Sequence, residues 1–256
     1  MKIGIIGMGN IGKAAAKRLM ECGYEVAASN RNGGTVGSIA VATDNRKLAA
    51  DCDVVILSVK PKSVSCVTEE IKDFAKGKIV ISLAAGVPLA YFESILDCAV
   101  IRAMTNIALG RGKAVSLYIA GSECSQTEKR IAEMLLSCFG VCMEVRNEFL
   151  IDLHTAISGS GIAYFVFIMK CFVKSAAHAG MERNMAENIV LETAAGAAEM
   201  INEEGWDIIE RVATKGGVTE AGLVEMERNG LCNIVNNVIG KTREKCRKLG
   251  EDYGHD

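Results

Sequence analysis

The sequence predicts an α/β fold, a mostly parallel sheet clothed in helices, followed by an all-helical domain. Three observations carry that prediction. Short apolar runs alternate with helix-period segments across residues 1–146. A glycine-rich turn joins the first run to the first helix, and beyond residue 147 the strand-like runs disappear. Repeated strand–helix alternation requires a sheet covered on both faces, and near-continuous runs such as Val54-Val55-Ile56-Leu57 suit strands buried on both sides.

Taken in order, residues 3–6 read as the first strand, stopped by Gly7. After Asn10 the spacing turns helical through Ile11, Ala14, Ala15, Arg18 and Leu19, with Gly23 as a C-terminal stop. Further strands are expected at 24–29, 37–42, 54–59, 78–83, 99–103, 115–120 and 141–145. Helices are expected at 45–50, 63–74, 88–95 and 125–138. The second part, residues 147–256, reads as helices at 148–157, 162–178, 186–204, 206–213, 220–228 and 231–248. Phe165, Ile168, Met169, Phe172 and Val173 would cover most of one helix. Either the sheet domain or a twofold partner must bury them, and the partner is the favoured reading.

Composition narrows the function classes. Half of the 256 residues are apolar, which excludes wholesale disorder, and 29 basic against 31 acidic residues give −2. Such a balance supplies no field for nucleic acid or a membrane surface. The ten cysteines are scattered from Cys22 to Cys246 without a CxxC pair, as expected of a reduced cytoplasmic chain. His154, His178 and His255 form no metal-ligand spacing, so no metal site is expected. The N-terminus lacks the pattern of a signal peptide. The longest membrane candidate, residues 162–177, carries Lys170 and Lys174 and reads as too short to span.

Gly7-Met8-Gly9-Asn10-Ile11-Gly12 matches G-x-G-x-x-G between a strand and a helix, the setting of a Rossmann-like dinucleotide site. Gly7 makes the tight turn, Gly9 admits the pyrophosphate to the backbone, and Gly12 lets the helix lie close. The phosphates then sit at the helix N-terminus. Where an NAD site places an acid, at the end of the second strand, this chain has Ser29-Asn30-Arg31. Arg31 suits a 2′-phosphate, with Ser29 and Asn30 donating hydrogen bonds, so NADP(H) is favoured and NAD(H) comes second. Val59-Lys60-Pro61 and Ala84-Ala85-Gly86 end the next two strands, at the edge where the nicotinamide half would lie. Lys60 serves there either as a charge or backbone carbonyl near the ring, or as a surface lysine.

With these residues in view, the chain resembles the Δ1-pyrroline-5-carboxylate reductase family over nearly its whole length. The likeness continues through Ile101-Arg102-Ala103-Met104-Thr105-Asn106, Asp152, Thr155 and Ala156, then Ser158-Gly159-Ser160-Gly161-Ile162-Ala163-Tyr164. It closes with Gly216-Gly217-Val218-Thr219 and Ala221-Gly222-Leu223. The resemblance implies an NADP-binding domain at 1–146 and a helical dimerisation and substrate-binding domain at 147–256. It implies a homodimer, with larger rings of dimers in the family, and hydride transfer to the C=N carbon of a small cyclic imino acid. Thr219 falls on the family's threonine that hydrogen-bonds the substrate nitrogen. Ser158, Gly159, Ser160 and Gly161, with Gly216, Gly217 and Val218, correspond to its substrate-holding elements. Backbone N–H groups around these two motifs are expected to form anion-binding nests for the substrate carboxylate at helix starts.

The chain departs from the family at Thr105, Ile162 and Lys215, where proline is usual. No departure removes a catalytic group, but together they leave the ring size of the substrate open. Three alternatives stand beside pyrroline-5-carboxylate reduction: reduction of another small cyclic imino acid, an NADP-linked hydroxy-acid dehydrogenase, and a non-catalytic NADP-binding structural or sensor protein.

Overall fold

The computed structural model describes residues 1–254, so His255 lies outside the described residues. Nine strands form one sheet: β1 (Lys2–Ile6), β2 (Glu25–Ser29), β3 (Gly34–Val36), β4 (Ile39–Ala42), β5 (Val54–Leu57), β6 (Ile79–Ser82), β7 (Ala99–Met104), β8 (Ala114–Ala120) and β9 (Gly140–Glu144). Their spatial order is β3-β4-β2-β1-β5-β6-β7-β8-β9. Pairing is parallel except for β3 with β4 and β7 with β8. The strand expected at 37–42 is the second arm of a hairpin, with Val36 opposite Ile39 across a two-residue turn.

Period-2 alternation explains the layering. Ile3, Ile5, Val54, Ile56, Ile79 and Ile81 face one core, under α1 (Asn10–Glu21) and α5 (Gln126–Ser137). Val55, Leu57, Val80 and Val100 face the other, under α2 (Asn45–Asp51), α3 (Val64–Ile71) and α4 (Leu89–Glu93). The inner strands therefore carry apolar residues on both faces, β5 (Val54–Leu57) at every position, because both faces are dry.

One charge breaks that rule. Arg102 of β7 is fully buried and pairs with Glu148 and with Asp152 of α6 (Phe149–His154). Glu148 Oε1 also accepts the Leu89 backbone N–H at 2.6 Å. Removing one member of such a buried group costs about 3–5 kcal/mol, since it strands the remaining charge. The cluster ties α6 to the sheet. Compact units accordingly divide differently from the expected boundary at 146/147: one comprises Met1–Ser160 with Ile239–Asp256, the other Gly161–Val238.

The second unit contains α7 (Gly161–His178), α8 (Arg183–Glu204), α9 (Ile208–Val212), α10 (Val218–Arg228) and the start of α11 (Leu231–Gly250). Its helices bury little: only Gly161 in α7 and Ala186 in α8, and nothing in α9 or α10. Phe165 and Phe167 are each 68% exposed. The helical run Phe149–His178 is continuous for 30 residues, with a mean hydropathy of 1.7 in its most apolar window. The reading of this stretch as too short to span a bilayer is thus corrected: α6, the turn after it and α7 fuse into one helix long and apolar enough by length and composition.

Candidate active site

Parallel register brings the turns predicted from sequence to one edge of the sheet. Ile6 pairs with Ser29 on one side and Leu57 on the other, Leu57 pairs with Ser82, and Ser82 with Arg102. Residues 7–12, 29–31, 59–61 and 84–86 therefore leave the sheet in one row at its carboxyl ends. Ligands of open α/β sheets bind at such an edge.

The glycine turn fits a dinucleotide on steric grounds. A Cβ on Gly12 would lie 1.9 Å from the Gly7 carbonyl oxygen, so α1 can approach the turn only with glycine there. Gly7 has φ +100°, and its added Cβ would meet the Ser58 carbonyl oxygen at 2.6 Å. Around Gly9, by contrast, 4 Å of space is open. Among the described residues no side chain caps α1, and its first turn carries no acid. Those N–H groups and the positive end of the helix dipole suit a pyrophosphate. Met8 is buried in the first core, so it lends the turn only backbone, while Asn10 is exposed and Ile11 half-buried.

The end of β2 is arranged differently from expectation. Ser29 is fully buried and its hydroxyl donates to Asn45 Oδ1 at 2.7 Å, while Asn45 Nδ2 donates to Glu70 Oε2 at 2.6 Å. Ser29 is thus turned inward to Asn45 and away from the strand-end position where a 2′-phosphate was expected. Asn30 Oδ1 accepts the Asn32 N–H at 2.7 Å, shaping the turn. Arg31 is exposed, and its Nη2 donates to Ser63 Oγ at 3.3 Å. Ser63 was not legible from sequence, because 32 residues separate the partners.

At the next two strand ends, Lys60 is exposed and its carbonyl accepts the Ser63 N–H at 2.9 Å, closing the single turn Pro61–Ser63. Val59 packs on the second core, Ala84 is buried, and Ala85 is half-buried. Gly86, at φ +79°, lies against the end of α11.

Ser158 joins the same edge. Asn106, just past β7, donates from Nδ2 to Ser158 Oγ at 2.9 Å. Residues Thr155–Gly159 form a π turn inside the long helix, a wide turn often found at functional sites. α7 begins at Gly161, directly behind this turn, and the Ser160 N–H donates to the Thr155 carbonyl at 3.0 Å. Within the expected nest around 158–161 the Ser160 amide is therefore already engaged, and Ser158 brings a hydroxyl to the edge. Thr105, one of the departures from proline, is buried and its hydroxyl accepts from Ser116 Oγ at 2.9 Å. His154 is buried with Nε2 3.1 Å from the Val115 carbonyl oxygen, and burial lowers its pKa from the ordinary 6.5.

In the helical unit, Gly217 caps α10 and donates its N–H to the Thr214 carbonyl at 2.9 Å. The Gly216 N–H donates to Glu220 Oε2 at 2.6 Å. The Glu220 carboxylate thus engages one of the amides of the loop where the second nest was expected. Thr219 is half-buried in the first turn of α10, and Val218 before it is 92% exposed.

Comparison with known proteins accords with this arrangement. Residues 2–86 match the family described as NADP oxidoreductase, coenzyme F420-dependent, and residues 148–249 match pyrroline-5-carboxylate reductase dimerisation. The chain is 33% identical to pyrroline-5-carboxylate reductase of Aquifex aeolicus, over 97% of each. The solved pyrroline-5-carboxylate reductase of Coxiella burnetii superposes with a TM-score of 0.86 at 28% identity, covering 97% of this chain and 98% of that one. The Plasmodium falciparum pyrroline carboxylate reductase, solved with NADP bound, shares the fold at a TM-score of 0.91 and 24% identity, over 98% of each. With a glycine cradle at one end, a matching helical half at the other and identity spread end to end, the chain belongs to the pyrroline-5-carboxylate reductase family.

Proposed function

We propose that this chain is a cytoplasmic, homodimeric enzyme that reduces 1-pyrroline-5-carboxylate to proline with NADPH. One observation carries the reading: a dinucleotide cradle that only glycine can build shares a sheet edge with Ser158, in a chain whose identity to a pyrroline-5-carboxylate reductase runs its full length.

The domain at 1–146 binds NADP(H) and the helices beyond it bind substrate and the partner. Residues 7–12 receive the pyrophosphate on the α1 N-terminus. Arg31, with Ser63 beside it, receives the 2′-phosphate, and this arrangement supports NADPH over NADH. When bound, the reduced nicotinamide supplies a hydride to the imine carbon. A protonated imine is the more electron-poor acceptor, so the chain needs only a modest partner for the ring nitrogen, and Thr219 takes that role as an orienting hydrogen-bond group. Asn106 already donates to the Ser158 oxygen, which leaves the Ser158 hydroxyl proton for the substrate carboxylate.

Dimerisation is supported by the family match over 148–249 and by the uncovered Phe165, Phe167 and Phe172. The apolar run Phe149–His178 is read as the surface a second copy covers, not as a bilayer span. Rings of dimers are a further assembly of the same unit.

The test follows NADPH absorbance with five- and six-membered cyclic imino acids, then with NADH. Turnover highest with the five-membered ring and NADPH is expected. A folded dimer that binds NADPH yet turns over no imine would sink the reading in favour of a non-catalytic NADP-binding protein. Replacing Thr219 by Ala should lower kcat about ten-fold or more while leaving NADPH affinity unchanged. Unchanged turnover would remove Thr219 from the reaction.

A further inference from the structure

The last described residues return to the cofactor edge. Tyr253 ends the single turn Glu251–Tyr253 that follows α11, and its hydroxyl donates to the Pro61 carbonyl oxygen at 2.6 Å, across 192 residues of sequence. Its ring stands edge-on to Tyr91 at 4.6 Å between centroids, and it packs on the second core. The Ser65 backbone N–H and hydroxyl also face the phenol oxygen. A second contact pins the same segment independently. A Cβ on Gly86 would lie 2.4 Å from the Cys246 carbonyl oxygen and 3.2 Å from Leu249 Cβ, so α11 presses directly on the turn after β6.

Pro61 opens the short turn whose other end is Ser63, the residue that hydrogen-bonds Arg31. The contacts thus form a chain: Tyr253 to Pro61, around one turn to Ser63, and on to the guanidinium of Arg31. We infer that Tyr253 is a positioning residue for cofactor selection, latching the turn Pro61–Ser63 so that Ser63 holds Arg31 where a 2′-phosphate binds. The inference rests on the proposed binding of NADP(H) at this edge, but not on the identity of the imine. A carbonyl anchored by a phenol on a packed ring moves little, and two residues later the same rigidity reaches the hydroxyl that steadies Arg31. Without the latch Arg31 must lose more side-chain freedom on meeting the phosphate. NADH has no 2′-phosphate, so its binding is insensitive to that loss.

The discriminating variant is Tyr253→Phe, which keeps the ring contact with Tyr91 and removes only the hydroxyl. Dissociation constants for NADPH and NADH are measured by nucleotide fluorescence, without any imine, alongside the thermal midpoint. The expected result is an NADPH affinity weakened about two- to ten-fold, the range of one net hydrogen bond, with NADH affinity and thermal midpoint nearly unchanged. In a double-mutant cycle, adding Ser63→Ala to Tyr253→Phe should cost little more than either alone, because both act on one path. Unchanged NADPH affinity, equal weakening of both nucleotides, or additive effects of the two substitutions would each overturn the inference. Wild-type protein that binds neither nucleotide would instead overturn the cofactor reading itself, and the latch with it. Failure to turn over any imine leaves this binding test intact.

Discussion

The sheet-bearing unit and the helical unit handle apolar surface in opposite ways. In the first, both faces of the inner strands are sealed, and even a guanidinium, that of Arg102, is enclosed with two carboxylates. In the second, 18-residue α7 buries only a glycine, and its phenylalanines stand in the open. One unit completes its own core, whereas the other leaves large apolar side chains uncovered. The contrast teaches that the glycine turn is built within a single chain, while the uncovered helical faces lie in the region that matches pyrroline-5-carboxylate reductase dimerisation, residues 148–249.

The strongest way to break this comparison is to charge the open face. Phe165→Glu should abolish the dimer, since an uncompensated carboxylate in a dry interface costs several kcal/mol, a hundred-fold or more in dimer affinity by about 1.4 kcal/mol per decade. Sedimentation velocity measures it, and a variant that remains dimeric at micromolar concentration contradicts the assigned interface. The reciprocal experiment strikes the self-sufficient unit. In Gly12→Ala the new methyl collides with the Gly7 carbonyl, whose oxygen lies 1.9 Å away, so NADPH affinity should fall about a hundred-fold while the dimer persists. Equal affinity of this variant and wild type in nucleotide titration would refute the cradle.

The smallest effect sharpens the comparison from the buried side. Burial lowers the His154 pKa below 6.5, so the unfolded chain takes up this proton more readily than the folded one. Its contribution to stability is then complete above pH 6.5 and is lost progressively as the pH falls below that value. The loss is of order 1 kcal/mol for each unit by which the pKa is displaced. Denaturant midpoints between pH 7 and 5 should decline in wild type and decline less in His154→Gln; identical slopes would remove His154 as the source.

Most of the sheet was legible because its signals are local. The turn after β1 needs glycine for reasons contained within six residues, and apolar runs at every position mark strands with two dry faces. Strand direction was not legible: β8 runs antiparallel to β7, and nothing in an apolar run encodes direction. Of the candidate site, Arg31 stands exposed just past β2, as the sequence pattern implies, but its neighbour Ser63 and the inward turn of Ser29 to Asn45 depend on partners 32 and 16 residues away. The π turn Thr155–Gly159 before α7 was not legible, because it uses small residues that local propensity does not distinguish from an ordinary helix turn. Likewise, Glu220 is an ordinary helix residue until folding brings its carboxylate onto the Gly216 amide.

By itself the sequence determined most of the strands and helices, the glycine turn between β1 and α1, and the large apolar faces of the second half. These follow from periodicity and backbone sterics, which act over a few residues. Only the tertiary structure decided which hydroxyls are bonded inside the protein, where the compact units divide, and that Tyr253 closes on Pro61. Those outcomes depend on which polar groups meet after the chain has folded, and a hydrogen bond satisfied inside the protein is no longer offered to a substrate.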